Sequence, residues 1–341
     1  MSIEETSDAV DRLAPEARPL VDAMAAVFPD LGGAVTDAAE ARRILAAAPA
    51  APFPAPVVGA VEDREIPGPP GAPPIPVRIY RPESGGATDG DAPRPVVVFF
   101  HGGGWVICDL DSHDSTARGL CRDAGAVVVS VDYRLAPESR FPAAVEDAYA
   151  AVCWVAGHAG ELGADPCALT VAGDSAGGNL AAVVAQIARD EDGPRIARQV
   201  LVYPATDARQ KAGSFDANAA GYFLTAAHCR WFRDQYLGSD GDPAHPHVSP
   251  LLAEDLAGLP AAHVVTAGCD PLCDEGRAYA TALRAAGVPV TESHFPHMFH
   301  GFFGFPELLG DARQARADVA QVIVSSVRDR KNSGNTGGSA G

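Results

Sequence analysis

Apolar positions change rhythm along the chain. Between residues 15 and 28 they fall at Leu20, Val21, Met24, Val27 and Phe28, a spacing that puts them on one face of a helix, with Pro15 suited to its first turn. A second short helix is predicted over residues 37–47, with Thr36 as its N-cap. Residues 48–56, Ala-Pro-Ala-Ala-Pro-Phe-Pro-Ala-Pro, cannot continue a helix and read as a stiff linker. Residues 1–55 are thus expected to form an appended helical piece.

Beyond residue 56 the pattern shortens. Strands are predicted at 57–66 and 75–81 across a Pro/Gly-rich turn, followed by a polar, Gly-rich loop at 83–94. Near-continuous apolar runs then occur at 96–100, 126–132, 169–172, 199–203, 263–267 and 288–295. They alternate with helical stretches at 112–124, 143–159, 176–189, 274–286 and 311–330. Apolar strands alternating with helices predict an α/β fold: a mostly parallel sheet covered by helices on both faces. Residues 207–250 break the rhythm and read as an insertion with a helix near 225–236. The sheet domain is therefore expected at 56–206 and 251–330. The Gly/Ser/Asn-rich tail, 331–341, is predicted to be disordered.

Candidate chemistry sits at the ends of the predicted strands. Gly173-Asp174-Ser175-Ala176-Gly177 lies between a strand and an apolar helix, the context of a nucleophile elbow. There the serine sits on a sharp turn, and flanking glycines let strand and helix approach. His101-Gly102-Gly103-Gly104-Trp105 follows the run at 96–100. Acyl transfer builds negative charge on a carbonyl oxygen, so backbone N–H groups must be aimed at it. The run is recognised as an oxyanion motif, with the N–H groups of Gly103, Gly104 and Ala176 as expected donors. A phosphate-cradling loop is disfavoured, because no Lys or Arg lies in the motif.

A serine nucleophile needs a base, and the base needs an orienting carboxylate. Asp270 follows the run at 263–267, on the face where α/β sites form. Asp274 and Glu275 are rivals, but a helix N-terminus explains them without catalysis. His297 and His300 both follow the last apolar run. Their His-x-x-His spacing lacks a neighbouring Cys or carboxylate to complete a metal site, so no metal is expected.

Taken in order, these motifs resemble the hormone-sensitive-lipase-like, or bacterial type IV, esterases of the α/β-hydrolase superfamily. The resemblance runs from about residue 13 to 327. It rests on His-Gly-Gly-Gly-Trp at 101–105, Tyr-Arg-Leu-Ala-Pro-Glu at 133–138, Phe-Pro-Ala-Ala at 141–144 and Gly-Asp-Ser-Ala-Gly-Gly-Asn at 173–179. Ser-Pro-Leu at 249–251, Asp-Pro-Leu at 270–272 and His-Gly-Phe at 300–302 complete it. The resemblance implies an α/β-hydrolase fold and a triad of Ser175, Asp270 and His300. It also implies a helical cap built from the N-terminal segment and the insertion. It further implies hydrolysis of short- to medium-chain acyl esters through an acyl-enzyme, with no cofactor. Candidate substrate contacts are Trp105, Tyr222, Phe223, Leu224 and Phe299; core packing explains each equally well. A deacylase of an O- or N-acylated metabolite is the nearest alternative. A non-catalytic small-molecule receptor is remote, since such receptors lack the histidine that matches His300.

Composition narrows the partners. A net charge of −18 argues against nucleic acid and anionic membranes but is compatible with a neutral ester substrate. Seven cysteines, without a Cys-x-x-Cys pair, read as reduced thiols. The opening Met-Ser-Ile-Glu-Glu-Thr is acidic where a secretory signal is basic, so a cytoplasmic location is expected. Assembly as a homodimer is an open expectation.

Overall fold

A computed structural model describes residues 12–48, 53–83 and 94–333. Eight strands form one sheet, in the order β1-β2-β4-β3-β5-β6-β7-β8. β1 (Ala60–Ile66) and β2 (Ile75–Arg81) pair antiparallel, and β2 pairs antiparallel with β4 (Val127–Val131). From β4 onward all pairing is parallel, through β3 (Arg94–Phe100), β5 (Ala164–Asp174), β6 (Arg198–Val202), β7 (Ala261–Cys269) and β8 (Val290–Phe299).

The helices preceding the sheet are α1 (Arg18–Val27) and α2 (Ala38–Ala46). Those connecting the strands are α3 (Asp114–Ala124), α4 (Ala143–His158), α5 (Ala176–Asp190) and α8 (Cys273–Ala285), and α9 (Gly310–Ser333) ends the fold. The insertion holds α6 (Gly213–Ala217) and α7 (Ala226–Leu237). Strand residues alternate between two cores. Val96, Val98 and Phe100 pack with Val152, Leu180 and Val184 of α4 and α5. Val97 and Phe99 pack with Leu120 of α3 and Val319 and Ile323 of α9. Both faces are covered there, so β3 is apolar at every position from Pro95 to Phe100, and period two is invisible in it.

Element boundaries differ from expectation for physical reasons. β5 begins five residues before its apolar run, because Ala164 pairs with Arg94 across a bulge. The N-terminal helix starts at Arg18, with residues 15–17 in a turn ahead of it. α2 is capped by Asp37, whose side chain accepts from the Glu40 N–H at 2.8 Å. Thr36 instead gives its carbonyl to the Trp231 indole N–H at 3.0 Å, which ties the N-terminal segment to the insertion. The five-residue α6 is too short to show a period. α9 runs on through Ser333, so the expected disorder does not begin at residue 331. The remainder of that tail, most of the 83–94 loop, residues 49–52 of the linker and residues 1–11 lie outside the described residues.

Candidate active site

The nucleophile elbow forms where β5 hands over to α5. Ser175 sits at φ 56°, ψ −117°, a region that L-residues enter only when the surroundings hold them there. Its N–H donates to the Val202 carbonyl at 2.8 Å. A Cβ on Gly177 would run into the Phe100 carbonyl oxygen, and one on Gly173 would meet Gly177. The spacing of glycines around Ser175 is thus set by β3 and α5 passing too close for any side chain.

Three groups stand in a hydrogen-bonded line. Ser175 Oγ lies 2.9 Å from His300 Nε2, and His300 Nδ1 lies 2.7 Å from Asp270 Oδ2. The second contact fixes the tautomer: Nδ1 donates to the carboxylate, which leaves the Nε2 lone pair facing the serine hydroxyl. Asp270 is fully buried, and its Oδ1 accepts from the Leu272 N–H at 2.9 Å. The rival acids are occupied elsewhere. Asp274 accepts from the Ser214 N–H, and Glu275 from the N–H groups of Thr206 and Asp207. The two histidines also separate. β8 extends to Phe299, so His297 lies within the strand, exposed, with Nδ1 on the Arg12 carbonyl at 3.0 Å.

The glycine loop after β3 is held open by backbone geometry. Gly103 and Gly104 have φ of 111° and 58°. A Cβ on Gly103 would meet the Ile107 carbonyl, and one on Gly104 the Phe232 ring. Among the described residues the N–H groups of Gly103 and Gly104 donate to no protein acceptor. The Ala176 N–H, at the first position of α5, has no acceptor within its helix. Asp174 anchors the loop by accepting from the Gly102 N–H at 3.0 Å. Burial opposes ionisation of Asp174. His113 at 3.4 Å, with His101 and His300 behind it, outweighs that and holds its carboxyl below the usual range. Burial pushes His101 down to about 4, so its ring is neutral. Its Nδ1–H donates to the Gly102 carbonyl at 2.7 Å, and Tyr133 Oη donates to the His101 carbonyl at 2.7 Å.

The other motifs brace this floor. Arg134 pairs with the buried Asp147 of α4 at 2.8 Å. Arg42 of α2 pairs with Glu138 at 2.8 Å and donates to the carbonyls of Val106 and Ala136. Asn179 Nδ2 joins the carbonyls of Ala205 and Val248. Ser249 Oγ donates to the Pro243 carbonyl and accepts from the Ala208 N–H.

Above Ser175 and His300 lies a cavity of about 1160 Å³, roofed by α1, α2 and the insertion. Of the five candidate substrate contacts, Trp105, Phe223 and Leu224 line it. Tyr222 and Phe299 do not; both are fully buried in the core. Each is the chain neighbour of a residue at the site: Phe223 sits at φ 78° in a bend and His300 in the turn that follows β8, so the backbone changes direction between neighbours and one side chain enters the core while the next reaches the cavity. Phe28, Phe232, Tyr203 and His113 also line the cavity and were not singled out from the sequence. Phe28 meets Phe223 edge-on at 5.0 Å. Only its place on the apolar face of the first helix could have hinted at this.

The class follows from sheet, elbow and glycine loop together. A family model described as alpha/beta hydrolase fold matches residues 97–304. Carboxylic ester hydrolase LipN of Mycobacterium tuberculosis is 49% identical over 269 residues, covering 77% of this chain and 69% of that protein. Carboxylesterase NlhH of the same species is 45% identical over 258 residues, covering 75% and 79%. The solved structure of a hyperthermophilic esterase from the archaeon Pyrobaculum calidifontis superposes with a TM-score of 0.82 at 40% identity, covering 92% of this chain and 99% of that one. The chain belongs to the hormone-sensitive-lipase-like esterases of the α/β-hydrolase superfamily. No helix among the described residues is long and apolar enough to cross a membrane.

Proposed function

We propose that this carboxylesterase acts through Ser175 as nucleophile, His300 as general base and Asp270 as its orienting acid, on esters of short to medium acyl chains. The carrying observation is the Ser175–His300–Asp270 line, with contacts of 2.9 and 2.7 Å, beneath the cavity. His300 Nε2 takes the hydroxyl proton as Ser175 Oγ attacks the ester carbonyl. The N–H groups of Gly103, Gly104 and Ala176 stabilise the charge that builds on its oxygen. His300 then returns the proton to the leaving alcohol. Water, activated by the same ring, hydrolyses the acyl-serine and regenerates the enzyme. Trp105, Phe223, Leu224 and Phe232 supply apolar walls for the substrate. Seven free thiols favour a reducing, cytoplasmic setting.

The test is covalent. A serine-directed phosphonate should label the wild type once and Ser175→Ala not at all, while kcat of the variant falls by roughly 10⁴-fold or more. Labelling of Ser175→Ala at the wild-type rate refutes the assignment.

A further inference from the structure

We propose that Asn218, in the insertion, is a positioning residue for the reaction: it seats the backbone of the loop that carries Asp270. The proposal rests on the reading of Asp270 as the triad acid. Asn218 caps the C-terminus of α6 and is only 2% exposed. Its Nδ2 donates to the Gly268 carbonyl at 3.1 Å and to the Asp270 carbonyl at 2.9 Å. Its Oδ1 accepts from Arg12 Nη1 at 3.0 Å, and Arg12 Nη2 reaches the same Gly268 carbonyl at 3.2 Å. Two carbonyls on one side and a guanidinium on the other leave the amide one orientation in which both its ends are satisfied.

Ser214, one turn earlier in α6, extends the clamp. Its Oγ donates to the Pro271 carbonyl at 2.8 Å and accepts from the Asp274 N–H at 3.0 Å. Its own N–H donates to Asp274 Oδ2 at 2.8 Å. The loop from Gly268 to Asp274 is therefore held along its length by a helix of the insertion. The Asp270 carboxylate has its own partners, Leu272 N and His300 Nδ1, but its Cα is placed by Asn218. The same chain segment continues to Phe223 and Leu224, which line the cavity, so the insertion serves the acid and the substrate wall together.

The consequence differs from that of a stability contact. If the donors of Asn218 are lost, the loop relaxes, the acid drifts from His300, and each correctly folded molecule turns over more slowly. A displacement of about 1 Å at such a site lowers rates by roughly 10²-fold. Asn218→Leu keeps the branched shape and removes both N–H donors together with the Oδ1 acceptor. Arg12→Met removes the guanidinium behind the amide and leaves Asn218 in place. For each, active sites are counted with the phosphonate, and kcat per labelled site and KM are measured on one small aryl ester, with Asp270→Asn as reference.

Expected is a fall in kcat per labelled site of about 10- to 100-fold for Asn218→Leu, a smaller fall for Arg12→Met, and KM within about threefold of wild type for both. Unchanged kcat per labelled site in Asn218→Leu, with Asp270→Asn strongly impaired, overturns the positioning role. So does a loss confined to the number of labelled sites. If Asn218→Leu yields no folded protein, unchanged kcat per site in Arg12→Met overturns it. An unimpaired Asp270→Asn refutes instead the triad on which the proposal rests.

Discussion

Glu275 is a buried carboxyl whose ionisation should contribute to how stability varies with pH. It lies in the first turn of α8 and is 3% exposed. Its Oε1 accepts from the N–H groups of Thr206 and Asp207 at 2.7 and 3.2 Å, while the buried Oε2 has no partner. Burial pushes this carboxyl from 4.5 up to about 8. The two N–H bonds pull it back, and the charges of Asp207 and Asp270 add to the rise. The folded protein thus holds the proton more tightly than the unfolded chain does. The stabilisation is fully present below pH 4.5 and is lost as pH rises through about 8. At ~1.4 kcal/mol for each tenfold change in proton affinity, the loss is on the order of a few kcal/mol.

Glu275→Gln keeps the acceptor for both N–H groups and cannot ionise. Its amide NH₂ replaces the partnerless Oε2, a penalty of about 1–3 kcal/mol that does not depend on pH. The informative quantity is therefore the Tm difference, variant minus wild type, followed by circular dichroism from pH 5 to pH 9. It should rise by roughly 5 °C or more across that range. A difference that stays constant, or that falls with pH, would show that the fold does not raise the Glu275 carboxyl above its open-chain value.

Two further outcomes follow from the site. His300→Ala should lower kcat/KM by about 10³-fold or more, whereas His297→Ala, on the exposed part of β8, should lower it by about tenfold or less; the reverse ranking would move the base to His297. With aryl esters of increasing acyl length, kcat/KM should gain at most ~0.8 kcal/mol per buried methylene and peak at roughly two to eight carbons, so faster cleavage of hexadecanoyl than butanoyl esters in matched dispersions would refute the size reading.

Much of the site was legible because its chemistry is local. An elbow needs glycines two positions either side of the serine, and a loop that exposes its N–H groups needs positive φ, so Gly173, Gly177, Gly103 and Gly104 announce themselves in short windows. The proposed acid stands out by place, since Asp270 follows a strand end. The proposed base is not resolved by spacing alone. His297 and His300 share one loop in the sequence, and only the run of β8 to Phe299 turns one toward Arg12 and the other toward Ser175.

What the sequence determined by itself is whatever nearest neighbours in the chain dictate: the alternation of strand and helix, the two glycine turns, the acidic charge, and the break at residues 207–250. What only the tertiary structure decided is which distant residues share a surface. Tyr222 and Phe223 are adjacent, yet one is core and the other cavity wall. Thr36 reads as a cap, but Asp37 takes the role while the Thr36 carbonyl meets Trp231. Asn218 gives no signal in its own segment, because its partners, Arg12 and the Gly268 and Asp270 carbonyls, lie at least 50 residues away. Periodicity records which face of an element is apolar. The long-range packing that selects each partner leaves no mark within a window of one helix or strand.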